Sequence, residues 1–173
     1  MNKIFPPIRT TTPVEVTPGS IIRISRSSET LLALVTSQKP NEASVSIVLL
    51  NLRRPNFPSV IFADNWRLTE PCLCYSSGVE FEINTELIDP RGNEWWETPG
   101  VIVSIADQLY IRAGRFDRSF GWPPLINIQT GELYSDQNQG NLWTFGGWTL
   151  WVKDEDCKRT IKLCDFNVAI KQL

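Results

Sequence analysis

Histidine, the side chain that most often acts as a general base or a metal ligand, is absent from this chain of 173 residues. Without histidine, neither a Ser–His nor a Cys–His nucleophilic pair can form. We therefore expect a protein that is not an enzyme, uses no cofactor and holds no metal ion. The residues that remain for recognition are arginine and the seven tryptophans.

The best candidate for a binding site is a segment that combines arginine with aromatic residues. Arg112, Arg115 and Arg118 precede Phe120 and Trp122 within a stretch that also contains glycine and proline. Guanidinium groups bind carboxylates and phosphates through paired hydrogen bonds, and they stack on aromatic rings. The segment therefore predicts a partner-binding site, and the alternative is a solvated loop in which an aspartate pairs with one of the arginines.

Two adjacent tryptophans, Trp95 and Trp96, form a second candidate site between Glu94 and Glu97. On a strand, one of the two rings faces the core and the other faces solvent. An exposed tryptophan offers a large rigid surface with one N–H donor, which suits a sugar platform or a protein interface.

The carboxylates Glu80 and Glu82 have a spacing that resembles the carboxyl pairs of glycoside hydrolases. They lie in Val-Glu-Phe-Glu-Ile, residues 79–83, where strict alternation predicts a strand with one apolar and one acidic face. Any solvated strand face with two acidic residues has this geometry. A carboxylate-only hydrolase is therefore an alternative to a plain solvated face.

The four cysteines are Cys72, Cys74, Cys157 and Cys164. Structural zinc sites favour cysteine pairs separated by about two to four residues, and neither pair here has that spacing. We expect reduced thiols that pack as small apolar side chains and bind no metal.

The segments that must position these residues are short, apolar and bounded by Pro, Gly, Asn or Asp, which is typical of strands. Twelve prolines leave few windows long enough for a helix. The only helical candidates are residues 84–88 and 154–159. Strands are predicted over residues 14–17, 20–25, 30–37, 44–52, 59–63, 72–75, 79–84, 101–106, 108–112, 125–128, 142–145, 148–152, 160–163 and 167–170.

Two hairpins are predicted from turn residues. The pair Gly146-Gly147 lies between nearly mirror-image flanks, which favours a type I′ hairpin over residues 142–152 with Trp143, Phe145 and Trp148 on one buried face. A second hairpin over residues 101–112 would turn near residues 106–107. In addition, the Thr-Pro-Gly-Ser sequence at residues 17–20 predicts a type II turn.

Length and composition indicate one globular domain. The fold class that the strand pattern predicts is all-β, an antiparallel β-sandwich or distorted β-barrel with long loops, over residues 14–173. Residues 1–13 contain three prolines and three consecutive threonines and are expected to form an extended N-terminal arm. No apolar stretch resembles a signal peptide or a membrane span, so we expect a cytoplasmic protein without membrane contact.

The net charge of −2 is unevenly distributed. Residues 1–62 carry seven Lys/Arg and three Asp/Glu, whereas residues 63–107 carry two and nine. An acidic chain argues against a nucleic-acid partner, which requires a clustered basic surface. The polarity is compatible with a protein partner or with a homo-oligomer in which the arm and Trp95 or Trp96 contact another copy.

From these features we expect a non-catalytic binding or assembly module that engages a partner through aromatic and arginine residues. The first alternative is a carbohydrate-binding module of the jelly-roll type. The second is the carboxylate-only glycoside hydrolase. A row of exposed rings would favour the first alternative, and two acids facing each other in a cleft would favour the second.

Overall fold

The computed structural model describes residues 8–26, 29–39, 44–54, 56–67, 71–75, 78–89, 98–115, 124–135, 142–153 and 158–168. These residues form fifteen strands and one short 3-10 helix, Pro13–Glu15, and no α-helix occurs among them. The predicted all-β class is therefore confirmed. The strands form three sheets arranged as a sandwich, and the described strands do not close into a barrel.

The largest sheet has seven strands in the order β1-β6-β2-β3-β4-β5-β11. Neighbouring strands are antiparallel except β5 and β11, which pair in parallel over two residues. The bounds are β1 Ile8–Thr11, β2 Ile21–Arg26, β3 Glu29–Val35, β4 Ser44–Leu49, β5 Ile61–Arg67, β6 Cys72–Tyr75 and β11 Gly114–Arg115.

Two smaller antiparallel sheets lie in the other layer. The five-stranded sheet has the order β12-β10-β9-β13-β8, and the three-stranded sheet has the order β15-β14-β7. Their bounds are β7 Val79–Ile83, β8 Ile88–Asp89, β9 Ile102–Ile105, β10 Gln108–Arg112, β12 Leu125–Asn127, β13 Trp143–Phe145, β14 Gly147–Lys153 and β15 Arg159–Asn167.

The main core lies where side chains from all three sheets meet. Leu34 of the seven-stranded sheet, Ile111 of the five-stranded sheet and Trp148 of the three-stranded sheet are all buried there. Because successive side chains of a strand point to opposite faces, each sheet contributes every second residue to this core. The sandwich therefore depends on all three sheets together.

A second apolar cluster covers the opposite face of the seven-stranded sheet. Ile22, Ala33, Ile47 and Ile61 are fully buried in it, and Val16, which follows the 3-10 helix, packs against them. Both faces of β3 and β4 are thus inside the molecule. This explains why these strands are apolar runs in the sequence and do not alternate.

Most predicted strands are confirmed, and four regions differ. Residues 14–17 are not a strand, because Pro13 begins a 3-10 turn there. Residues 160–163 and 167 belong to one strand, β15, whereas two were predicted. Within the predicted helix at residues 84–88, Ile88 begins β8. In the other helical candidate, residues 154–157 lie outside the described residues and Arg159 begins β15.

The predicted hairpin at residues 142–152 is wrong. Strand β13 pairs with β9 and β8, whereas β14 pairs with β15 and β7, so the chain passes from one sheet to another at Gly146-Gly147. The N–H of Gly146 donates to Leu87, and its carbonyl accepts from Val168. The expected common face does not form either, since Trp143 is 46% exposed and Trp148 is 1% exposed.

The two other predicted turns are confirmed. Ala106 and Asp107 have φ values of 48° and 62°, as a type I′ turn requires, and they join β9 to β10. In the type II turn, Ser20 N–H donates to Thr17 at 3.1 Å and Gly19 has a φ of 86°. Both turns were readable from the sequence because a few local residues determine them.

The described part of the predicted N-terminal arm belongs to this chain's own sheet. Ile8–Thr11 forms β1, an edge strand that pairs with β6, and Pro13 is buried. Residues 1–7 lie outside the described residues. Nowhere in the described ranges is there a helix long and apolar enough to cross a membrane.

Candidate functional site

The structure describes only two of the predicted binding residues, and it places them on different sheets. Arg112 lies on β10 and is 1% exposed, whereas Arg115 is exposed on β11, at an edge of the seven-stranded sheet. The other predicted residues lie outside the described residues, namely Trp95, Trp96, Arg118, Phe120 and Trp122. Their role in binding remains a prediction.

A cleft with a volume of about 550 Å³ lies between the seven-stranded sheet and β15. This volume is in the range of ligand-binding pockets. Its apolar lining comes from Leu32 and Tyr75 on one side and from Ile161 and Leu163 on the other. Ile161 is an exposed apolar residue of this lining, so the cleft is accessible from solvent.

The polar lining of the cleft is mostly positive. Arg23 of β2, Arg53 of the segment after β4 and Lys162 of β15 all line it, and all three side chains are exposed. Glu29 is the only carboxylate among the described lining residues, and it forms an ion pair with Arg54 at 3.6 Å. Lys162 also forms an ion pair with Asp165 at 3.2 Å, and both side chains stay about half exposed. The described charged lining, three cations and one carboxylate, is therefore net positive, although the chain as a whole has a net charge of −2.

Tyr75 provides a hydroxyl group at the inner end of the cleft. Burial raises the pKa of Tyr75, and the guanidinium of Arg23, which hydrogen-bonds to it, opposes part of that rise. The hydroxyl is therefore protonated at neutral pH. Tyr75 also lines a second, smaller cavity of about 200 Å³ on its other side, together with Ile128 and Phe81.

Strand β3 forms one wall of the cleft. The side-chain amide of Asn51 hydrogen-bonds to the backbone of β3 as a peptide group of a neighbouring strand would. Its Oδ1 accepts a hydrogen bond from Leu32 N–H at 2.8 Å, and its Nδ2 donates to the Thr30 carbonyl at 3.3 Å. Strand β4 pairs with β3 only from Ala33 onward. The side chain of Asn51 thus occupies the β3 edge that β4 leaves uncovered.

A second polar cluster lies on the outer face of the three-stranded sheet, around the predicted carboxylates. Arg159 Nη2 contacts Glu80 at 2.9 Å, and its Nη1 contacts Glu82. Lys153 also pairs with Glu80, and Trp151 Nε1 donates to Glu82 at 2.8 Å. Cations hold both carboxylates on an open sheet face, which differs from the cleft that glycoside hydrolysis requires.

The described cysteines are buried to different degrees. Cys72 and Cys74 lie inside the second apolar cluster, and Cys164 of β15 is partly buried. Burial raises the pKa of Cys72 to about 11 and that of Cys164 to about 12. Metal ions and electrophiles react with thiolates, so these thiols are poor ligands at neutral pH.

No group of three or more metal-binding side chains occurs among the residues that the structure describes. Cys157 lies outside them. That the cysteines are reduced and that the protein binds no metal therefore remain predictions.

Comparison with known proteins identified no matching family model, no matching curated protein and no matching solved structure. Function is therefore argued from geometry and charge.

Sequence reasoning missed the cleft because its cations come from three separate segments. Arg23 interrupts an apolar strand, Arg53 lies in the irregular segment after β4 and Lys162 lies on a strand of mixed composition. Each of them alone looks like an ordinary surface residue. Only the pairing of β2 with β3 and the position of β15 bring them to one cleft.

Proposed function

We propose that this protein is a non-catalytic binding module that holds an anionic group of a partner in the cleft between the seven-stranded sheet and β15. The observation that carries the proposal is the convergence of Arg23, Arg53 and Lys162 on one partly apolar cleft. A single exposed ion pair contributes only about 0.2–1 kcal/mol. Three cations around one cleft therefore favour a ligand with several negative charges.

The chemistry of the cleft supports binding better than catalysis. Its described lining residues include one carboxylate, Glu29, which is paired with Arg54, and one phenol, Tyr75, whose pKa is raised by burial. General acid–base catalysis needs a group that changes its protonation state near the working pH. Tyr75, whose pKa burial raises above its usual value, is unsuited to that role at neutral pH.

The proposal is tested with a fluorescently labelled glutamate oligopeptide of about six residues as the probe, read by fluorescence anisotropy. We expect saturable binding that weakens when added salt shortens the Debye length from about 10 Å to about 3 Å. A lysine oligopeptide of the same length should not bind.

A charge-matched pair of variants locates the site. Arg53→Gln with Lys162→Gln removes two cations from the cleft, and Arg9→Gln with Lys39→Gln removes two exposed cations that do not line it. The first double variant should bind the glutamate peptide roughly two- to thirtyfold more weakly, as two exposed ion pairs of about 0.2–1 kcal/mol each imply. Equal affinities of the two double variants for the glutamate peptide would overturn the proposal, and so would an unmodified protein that binds neither this peptide nor pyrophosphate.

A different ligand class is favoured by one observation only. Trp143 is 46% exposed and Ile88 is 38% exposed on the paired strands β13 and β8, which gives a small apolar surface away from the cleft. Exposed tryptophan suits a sugar ring or a contact with another copy. Sugar binding that is lost in Trp143→Ala and unchanged in the Arg53/Lys162 double variant would support that second candidate.

A further inference from the structure

Strand β15 has one free edge among the described strands. It is the longest strand, with nine residues, and it forms the border of the three-stranded sheet, where its only described partner is β14. An edge strand directs the N–H and C=O groups of alternate residues away from its sheet. These groups can pair with an added strand.

The cleft runs along this free edge. Ile161, Lys162 and Leu163 are consecutive residues of β15, and all three line the cleft. The pairing of β15 with β14 shifts register between Leu150 and Trp151, so Leu163 is an extra residue in a bulge of β15. No described residue of β14, the inner neighbour of β15, lines the cleft, so the cleft lies at the outer border of β15, where its backbone is accessible.

The opposite wall of the cleft differs, because its strand edge is already occupied. Asn51 accepts from the N–H of Leu32 and donates to the carbonyl of Thr30, which satisfies that part of β3. Of the two strand edges that border the cleft, the one of β15 is therefore the available one.

The charged and apolar residues around the free edge of β15 indicate which kind of segment would pair with it. The cations Arg23, Arg53 and Lys162 surround the edge, so acidic side chains on the added strand are favoured. Ile161 is 37% exposed and Leu163 is half-buried, which favours apolar residues at alternating positions.

We infer that the ligand of the cleft is an extended acidic segment of a partner protein, which adds to β15 as an antiparallel or parallel strand. This inference rests on the proposed function and names its partner class. Main-chain hydrogen bonds to β15 would supply affinity, and the three cations would select acidic side chains.

The test uses a blocked peptide of about six alternating glutamate and valine residues. A strand at an edge hydrogen-bonds through alternate amides, so two N-methylated versions of the peptide separate charge from strand addition. One version is methylated at the odd-numbered amides and the other at the even-numbered amides. Both keep all side chains and all charges of the parent peptide.

We expect one methylated peptide to bind within about twofold of the parent and the other to bind at least about tenfold more weakly, since each net hydrogen bond accounts for roughly fivefold in affinity. With the parent peptide, alternate amides of β15 should also become protected from hydrogen exchange. The amides of β3 next to Asn51 should not change.

Three other outcomes would overturn the inference of strand addition without contradicting the proposed function. If both methylated peptides bind as well as the parent, the cleft recognises charge without strand addition. If pyrophosphate binds with the same dependence on Arg53 and Lys162 while the peptide does not, the ligand is a small anion. If β15 amides are protected in a dimer before peptide is added, the edge pairs with a second copy. Only a failure of the peptides and of pyrophosphate alike contradicts the proposed function itself.

Discussion

The two halves of β15 lie in contrasting surroundings. In the second half, the Phe166 ring stacks on Trp148, with centroids 5.9 Å apart and an angle of 19° between the rings. In the first half, Ile161, Lys162 and Leu163 border an open cleft with cations around it. One strand thus takes part both in the interior of the sandwich and in an accessible surface.

The second half of β15, around Phe166, is the closed half, and the first half, around Ile161, Lys162 and Leu163, is the open half. The closed half shows which contacts stabilise the interior. Trp148 is 1% exposed, meets Phe81 edge to face at 5.2 Å and donates from Nε1 to the Gly100 carbonyl at 2.6 Å. Its ring is packed against other rings, and its Nε1–H is hydrogen-bonded inside the protein. The open half has apolar and cationic groups without comparable packing. We therefore expect stability to depend on the second half of β15 and the proposed binding to depend on the first half.

Trp148→Ala is the variant with the largest expected effect, and it tests whether the closed half stabilises the interior. Removing a large aromatic side chain from a packed core should lower the free energy of unfolding by about 3–5 kcal/mol, measured by urea denaturation. Trp143→Ala is the matched control, because Trp143 is 46% exposed; it should cost less than about 1 kcal/mol. Similar losses for the two variants would show that Trp148 is not the centre of the interior.

A pH titration examines the position between the two halves, where Cys164 lies opposite Leu150. Burial raises the pKa of Cys164 from 9.0 to about 12 in the folded protein. The folded state thus favours the protonated thiol, and this preference contributes to the free energy of unfolding. The contribution is complete below pH 9 and is lost as the pH rises toward 12. Unfolding midpoints should fall over this range, and less steeply for Cys164→Ala. Identical profiles for the two proteins would contradict the burial of this thiol.

Gly100→Ala tests how closely Phe166 of the closed half packs against Gly100. A Cβ atom at Gly100 would lie 2.3 Å from Phe166 Cε2, and the φ of Gly100 is 101°. Overpacking of this kind costs about 1–3 kcal/mol. Gly78→Ala serves as the control, since Gly78 also has a positive φ, of 75°, but its nearest contact would be at 3.1 Å. Thermal unfolding should show a larger loss for Gly100→Ala, and the reverse order would argue against the close approach of Phe166.

The smallest expected effect concerns Arg159, the first residue of β15. Arg159→Gln removes the contacts with Glu80 and Glu82 on the outer face and should cost about 0.5–1 kcal/mol, because the cluster is partly exposed. Binding of the glutamate peptide should remain within about twofold of the unmodified protein. A loss as large as that of the Arg53/Lys162 double variant would mean that binding responds to the general charge of the strand and not to the cleft.

Features determined by neighbouring residues were predictable from the sequence. The alternation at residues 79–83 correctly predicted a strand whose Val79, Phe81 and Ile83 face the core, and Ala106-Asp107 correctly predicted a hairpin turn. The Gly146-Gly147 hairpin failed because a glycine pair suits a change of sheet as well as a tight turn. Local sequence cannot distinguish the two cases, since the partners of β13 and β14 come from distant segments.

The candidate site was predicted less well than the fold. Arginine in a polar stretch suggests exposure for Arg112, yet both faces of β10 are buried at this end of the strand, and Arg112 lies inside the molecule. The cleft, in contrast, consists of residues that are ordinary in sequence and become a site only through sheet pairing. A group of cations contributed by separate strands leaves no spacing pattern that sequence reasoning can detect.

The central claim is tested most directly by an amide chemical-shift titration of the isotopically labelled protein with the glutamate peptide. The largest shifts should fall on residues that border the cleft, namely Arg23, Arg53, Ile161, Lys162 and Leu163, with little change near Trp148. Shifts centred on Trp143 and Ile88, or no shifts at peptide concentrations well above those used for anisotropy, would contradict the account.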